Sequence, residues 1–140
     1  VDFSLPSRQP RFHILDMASG TRQTLLVAHG KGSDPDHSGW LERFSNEPGS
    51  EASSAGAYLA GDLYTGKHGR SRRLIGLDQS NSNAESRAIV IHGAWYVSTD
   101  MARERGKLGR SQGCLAVGEG DLDLVLSTLG AGSLIYVDKI

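Results

Sequence analysis

One thiol and five imidazoles carry most of the chemistry this sequence can offer. The thiol, Cys114, lies in GRSQGCLAV at 109–117, where two glycines and two small polar residues precede it and an apolar run follows. A nucleophilic cysteine needs that kind of neighbourhood. Its thiolate must meet substrate, and nearby backbone N–H groups must be free to steady developing oxyanion charge. Gly113 can bring its amide close to a substrate carbonyl where a side chain would block the approach. A free thiol with a pKa of about 8.5 is only slightly ionised at neutral pH, so Cys114 needs a base. His92 is the leading candidate, at the end of RAIVIHG and 22 residues upstream. Its unperturbed pKa near 6.5 suits the task.

Residue type leaves other readings open. A single cysteine forms no intramolecular disulfide and is a buried hydrophobe, a metal ligand or a nucleophile. Free cysteines among small residues are more often inert core, and lone histidines are more often structural. Five histidines, the thiol and many carboxylates could also furnish a zinc hydrolase with three ligands and an open position. No HExxH and no CxxC supports that alternative. A thiol-dependent enzyme would need neither a metal nor another cofactor.

The elements that must position these groups are mostly strands. At 140 residues the chain has the length of one domain, expected to run from 1 to 140 with residues 1–10 as an arm. A formal charge of −1 argues against a nucleic-acid module. No apolar run approaches the roughly 20 residues of a membrane span. Eighteen glycines, nearly twice the usual share, suit a protein of strands and tight turns. Strands are expected at 11–17, 24–30, 55–60, 73–77, 87–93, 94–98 and 133–137, the last of them buried. A long polar loop occupies 31–54, and turn-rich segments fill 61–71 and 78–86. One short C-terminal helix is expected, capped by Asp121, with Leu122, Val125, Leu126 and Leu129 on one stripe and Gly130 as a left-handed end.

Five segments, in order, resemble the murein L,D-transpeptidase catalytic domain family, a branch of the YkuD-like L,D-transpeptidases. They are VAHGKGS at 27–33, FSNEPGS at 44–50, LYTGKHGRS at 63–71, RAIVIHGAWYV at 87–97 and LGRSQGC at 108–114. A strand ending in His-Gly, followed some twenty residues later by Ser-x-Gly-Cys, is the specific signature. The resemblance implies a mainly β sandwich or barrel with a short C-terminal helix. It further implies that Cys114 is the nucleophile, His92 its base, and the amides of Gly113 and Cys114 the oxyanion hole. Where the family often has Ser after the base, this chain has Gly93, so only a backbone carbonyl can orient the imidazole. Gln112 stands where Ser-His-Gly-Cys is commoner, and Ala116 where Asn or Arg is frequent.

Substrate contacts are then expected from Ser111 and Gln112 beside the thiol, and from the charges of Arg110, Arg73 and Lys67. His68 and His29 each precede a glycine and either line the cleft or bond loop backbone. Trp95, Tyr96 and Tyr58 form either an aromatic wall for a peptide stem or part of the core. The implied activity is attack on the diamino acid–D-alanine bond of a peptidoglycan stem tetrapeptide. A thioester would then pass to an acceptor amine in transpeptidation, or to water in an L,D-carboxypeptidase. The same acyl chemistry implies capture by carbapenems. The expected partners are donor and acceptor stems, the expected state a monomer, and the expected location periplasmic or exported, any signal peptide having been removed. A non-catalytic wall-binding module is the remaining alternative, with Cys114 in the core.

Overall fold

Short apolar segments with alternating burial become strands, and the computed structural model, which describes residues 1–140, contains eight of them and two helices. In chain order they are β1 (Phe12–Leu15), β2 (Arg22–Leu25), β3 (Val27–Ala28), β4 (Gly56–Gly66) and β5 (Gly69–Gly76). Then come β6 (Val90–Ala94), α1 (Thr99–Arg105), β7 (Leu115–Gly118), α2 (Leu122–Thr128) and β8 (Leu134–Val137). The expected mainly β architecture is present. β1 and β2 form a separate antiparallel pair, and the other six strands form one sheet in the order β3-β7-β6-β5-β4-β8. Every neighbour in that sheet is antiparallel except β6 and β7.

Strand alternation divides the interior into two cores. Ile91, Leu115, Val117 and Val27 point to one face and pack with Phe12, Ile14 and Val125 of α2. Ala28, Ala94 and Ala116 point to the other and pack with Val97, Leu108 and Ala102 of α1. The small side chains on the second face let α1 lie close to the sheet. Parallel pairing of β6 with β7 requires a crossover, and α1 supplies it.

Several local expectations change. The segment at 94–98 is not a strand. Ala94 ends β6, and Ser98 caps α1 by accepting from the Met101 amide at 2.9 Å, so this chain has a second helix. The turn-rich run at 61–71 instead extends the β4–β5 hairpin to a tight reversal at Gly66 and Gly69. The run at 24–30 splits between two sheets, and the strand expected from residue 87 begins at Val90. Asp121 precedes α2 without a side-chain cap bond, and Leu129 closes that helix in place of a left-handed glycine. β8 is an edge strand with Leu134 and Tyr136 exposed, because only β4 pairs with it.

The amino-terminal arm is built into the interior, with Phe3 buried and Val1 bonded to Tyr136 at 2.8 Å. Beneath it runs a buried polar chain. Arg11 donates to the carbonyls of Val27 (2.7 and 3.0 Å) and Leu5 (2.9 Å), and to His29 Nδ1 at 3.0 Å. His29 must then carry its proton on Nε2, which donates to Asp34 Oδ2 at 3.0 Å. Asp34 also accepts from the amides of Ser38 and Gly39, which anchors the loop after β3. Burial, and then the Arg11 charge, push His29 down to about 4 against the pull of Asp34.

The unfolded chain takes up this proton near 6.5, whereas the folded ring resists it to about 4. Stability at His29 is therefore whole above pH 6.5 and lost as the pH falls toward 4, by about 3 kcal/mol. A nuclear magnetic resonance titration of the His29 ring, paired with urea unfolding across that range, checks the expectation.

Candidate active site

His92 sits mid-strand on β6, in a cross-strand row with Ala116 of β7 on one side and Ser71 of β5 on the other. Two small neighbours leave room for an imidazole inside the sheet's second face. Nδ1 of His92 donates to the carbonyl of Gly93 at 2.9 Å. That bond fixes the tautomer and leaves Nε2 as the unprotonated, basic nitrogen. The ring is 2% exposed, and the imidazole of His68 lies flat upon it, with centroids 4.2 Å apart and planes 11° from parallel.

Cys114 immediately precedes β7. Because Ile91 pairs with Leu115, the alternation places Cys114 on the face occupied by His92. The α carbons on that diagonal lie about 8 Å apart by strand geometry, within side-chain reach. The thiol donates to the Ala88 carbonyl at 3.5 Å and makes no hydrogen bond to His92. The approach to it is held by backbone. Ser111 accepts the Gly113 amide at 3.2 Å and donates to the Cys114 carbonyl at 2.7 Å. Its own backbone bonds His29 and Lys31, at 2.9 and 2.8 Å. The buried Arg11–His29–Asp34 chain thus supports the cysteine loop from below.

Gly113 is obligatory at its position. Its φ is +112°, and a Cβ there would meet the Ala52 carbonyl at 2.7 Å and Ile89 at 2.8 Å. Its amide faces Ser111, so it is not the free donor expected from the sequence. The amides of Gln112 and Cys114 donate to no other group of the protein.

Cys114 opens on a cleft of about 310 Å³ lined by the 48–51 segment, the tip of the β4–β5 hairpin, residues 86–88 and Gln112. Among the expected contacts, His68, Lys67 and Gln112 line it. Others do not. Tyr58 is buried at 2% exposure with its hydroxyl on the Ser54 carbonyl, which makes it core. Trp95 lines a separate cleft of about 290 Å³ at the far end of β7, beside Glu119 and Asp121. Arg110 turns away to the Asp34 carbonyl at 2.7 Å. Arg73 stacks on Tyr64, 4.1 Å from its ring centre. Ser111 is buried and braces the loop, away from the cleft surface.

Arg87 is the residue that sequence reasoning missed. Its guanidinium donates to Ser45, Ser50, Ala52 and Ser54, pinning the polar loop as one wall of the cleft. Only its position before an apolar strand hinted at this, and surface cations often stand there. The expected zinc alternative gains nothing, since no three His, Cys, Asp or Glu side chains gather into a metal-holding group.

Burial pushes the Cys114 thiol up, while the Val90 amide and the charges of Lys67 and Arg87 pull it back. Burial likewise pushes His92 down, with the Gly93 carbonyl opposing and His68 and Lys67 assisting. Both shifts favour the uncharged forms of the two groups. Alkylation of Cys114 by iodoacetamide should reach half its limiting rate at a higher pH than a free cysteine does, and a stopped-flow pH series reads this directly. Gly113→Ala should lower that rate and cost roughly 1–3 kcal/mol through backbone strain, measured by urea unfolding.

No curated protein matches this chain in sequence. The family model of the L,D-transpeptidase catalytic domain matches residues 1–137, essentially its whole length. With a mainly β fold and a cysteine-bearing cleft beside a buried imidazole, the chain belongs to the L,D-transpeptidase catalytic domain family.

Proposed function

We propose that the chain is one catalytic domain that cross-links peptidoglycan stems by cysteine acyl transfer. The observation that carries this reading is the opening of Cys114 on a cleft, on the sheet face that also holds His92 with its Nε2 left basic. Nε2 takes the thiol proton as Sγ attacks the carbonyl between the diamino acid's L-centre and the terminal D-alanine. The free amides of Gln112 and Cys114 receive the oxyanion, where a lost donor typically costs roughly 2.7–4 kcal/mol. The intermediate collapses by breaking its C–N bond, and the imidazolium returns the proton to the departing D-alanine amine.

A thioester on Cys114 remains. An acceptor amine attacks it, the C–S bond breaks and the thiol is restored. Water in place of the amine makes the enzyme an L,D-carboxypeptidase. Lys67 lines the cleft without a carboxylate partner, and we assign it to the substrate's terminal carboxylate. Burial that favours the uncharged thiol and imidazole suits this order of events, with charge forming as substrate displaces water. The substrate puts the domain in the periplasm or outside the cell, working as a monomer. No helix is long and apolar enough to cross a membrane.

Intact mass tests the reading. Incubation with a purified tetrapeptide muropeptide should add the donor less D-alanine to the native protein, and a carbapenem should add its whole mass. Cys114→Ala should gain neither, and His92→Ala should acylate roughly 10²–10⁴-fold more slowly. A native protein that stays unmodified by both reagents would exclude the mechanism.

A further inference from the structure

Glu51 is the single carboxylate on the cleft that Cys114 opens on. Its side chain is exposed and joins none of the protein's three ion pairs. Its backbone is unusual as well. Glu51 takes a φ of +58°, in the left-handed region where a side chain costs free energy and glycine does not. Eight glycines occupy that region in this chain, against three other residues. Of those three, His37 uses its ring on the Leu108 carbonyl at 2.8 Å, and Ala88 has no polar side chain to place. Glu51 alone carries there a charged group that has no partner in the free protein.

Bonds on either side hold the strain. Arg87 fixes Ser50 and Ala52, at 3.1 and 2.7 Å, and the Glu51 carbonyl accepts the Gly32 amide at 2.9 Å. The segment also abuts the cysteine loop. A Cβ on Gly30 would collide with both the Glu51 carbonyl and the α carbon of Gly113, and one on Gly113 would meet the Ala52 carbonyl at 2.7 Å. Strain maintained on a cleft wall, with no internal partner gained, points to a partner that arrives with substrate.

That partner must be positive. In the acyl-transfer reading Lys67 takes the terminal carboxylate and Cys114 attacks the diamino acid's carbonyl, so the diamino acid's side chain leaves the stem next to the thiol. It ends in an amine, which is an ammonium at neutral pH. An ammonium on Glu51 makes a charge-assisted hydrogen bond in a cleft that the stem itself shields from water. The acceptor's amine suits the same group poorly. It needs its lone pair to attack the thioester, and a carboxylate that stabilises the ammonium withholds it.

We propose that Glu51 is a specificity-determining residue that binds the free side-chain ammonium of the donor's diamino acid. This rests on the acyl-transfer reading given above and adds which stems it selects. An amine already joined to another stem is an amide without charge. The domain therefore draws its donors from stems whose side-chain amine is still free.

Two stems test it: a tetrapeptide with that amine free, and the same tetrapeptide acetylated there. With the whole chain, kcat/KM for release of D-alanine should favour the free amine by roughly three- to tenfold, between the worth of an exposed ion pair and that of a shielded one. In Glu51→Gln the two stems should react alike, the free-amine stem losing through KM while the acetylated stem keeps its native rate. Equal use of both stems by the native chain overturns the proposal. So does a preference that survives in Glu51→Gln, or a Glu51→Gln chain that slows both stems by the same factor. Calorimetric affinities on Cys114→Ala, with and without Glu51→Gln, separate this outcome from the chemistry. If the native chain releases no D-alanine, the acyl-transfer reading fails and the affinities decide Glu51 alone. A free-amine preference that Glu51→Gln removes upholds its role, and the absence of one overturns it.

Discussion

The parallel pairing of β6 with β7 is the constraint on which the rest depends. It sets Ile91 opposite Leu115 and His92 opposite Ala116, and so brings an imidazole and a thiol 22 residues apart in sequence onto one face of a sheet. Parallel neighbours cannot be joined by a tight turn, so the chain must leave the sheet and return. α1 fills that excursion, and the alanines at 28, 94 and 116 make the room for it. The site is thus a by-product of a crossover, with the thiol at the point where the returning chain re-enters the sheet.

Holding that point requires polar groups inside the protein, and the structure satisfies them almost completely. Arg11, His29 and Asp34 are each fully enclosed, yet each finds partners, and their bonds link the amino-terminal arm, β3 and the following loop to the backbone of Ser111. Unpaired, any of the three would oppose folding by several kcal/mol. Paired, they leave the cysteine loop few alternative conformations. Arg87 performs the same service on the opposite wall, where four acceptors hold the polar segment at 45–54 in place.

The chemistry left at the surface is spare by comparison. Two amides without protein partners, the ammonium of Lys67 and a stacked pair of imidazoles stand near a thiol whose burial favours its protonated form. Burial of both partners disfavours a standing ion pair.

The sequence by itself determined the mainly β class, the amphipathic stripe of α2 and the residues able to do chemistry, because periodicity and residue type are local properties. Cys114 is the only thiol, and a His-Gly strand end followed by Ser-x-Gly-Cys is a pattern readable without coordinates. What the tertiary structure decided is everything that depends on who sits beside whom. Residues 95–105 became a turn and a helix because pairing with β7 demanded a crossover, and the seven residues of α1 are too few to show a period. Tyr58 and Trp95 look alike as cleft aromatics, yet one is sealed in the core and the other borders a different cleft at the far end of β7. Gly113 looks like an amide donor until Ser111 takes that amide. Arg87 and His68 acquired their places only through partners many residues away, at Ser45–Ser54 and at His92, and no spacing rule encodes a contact made across a sheet.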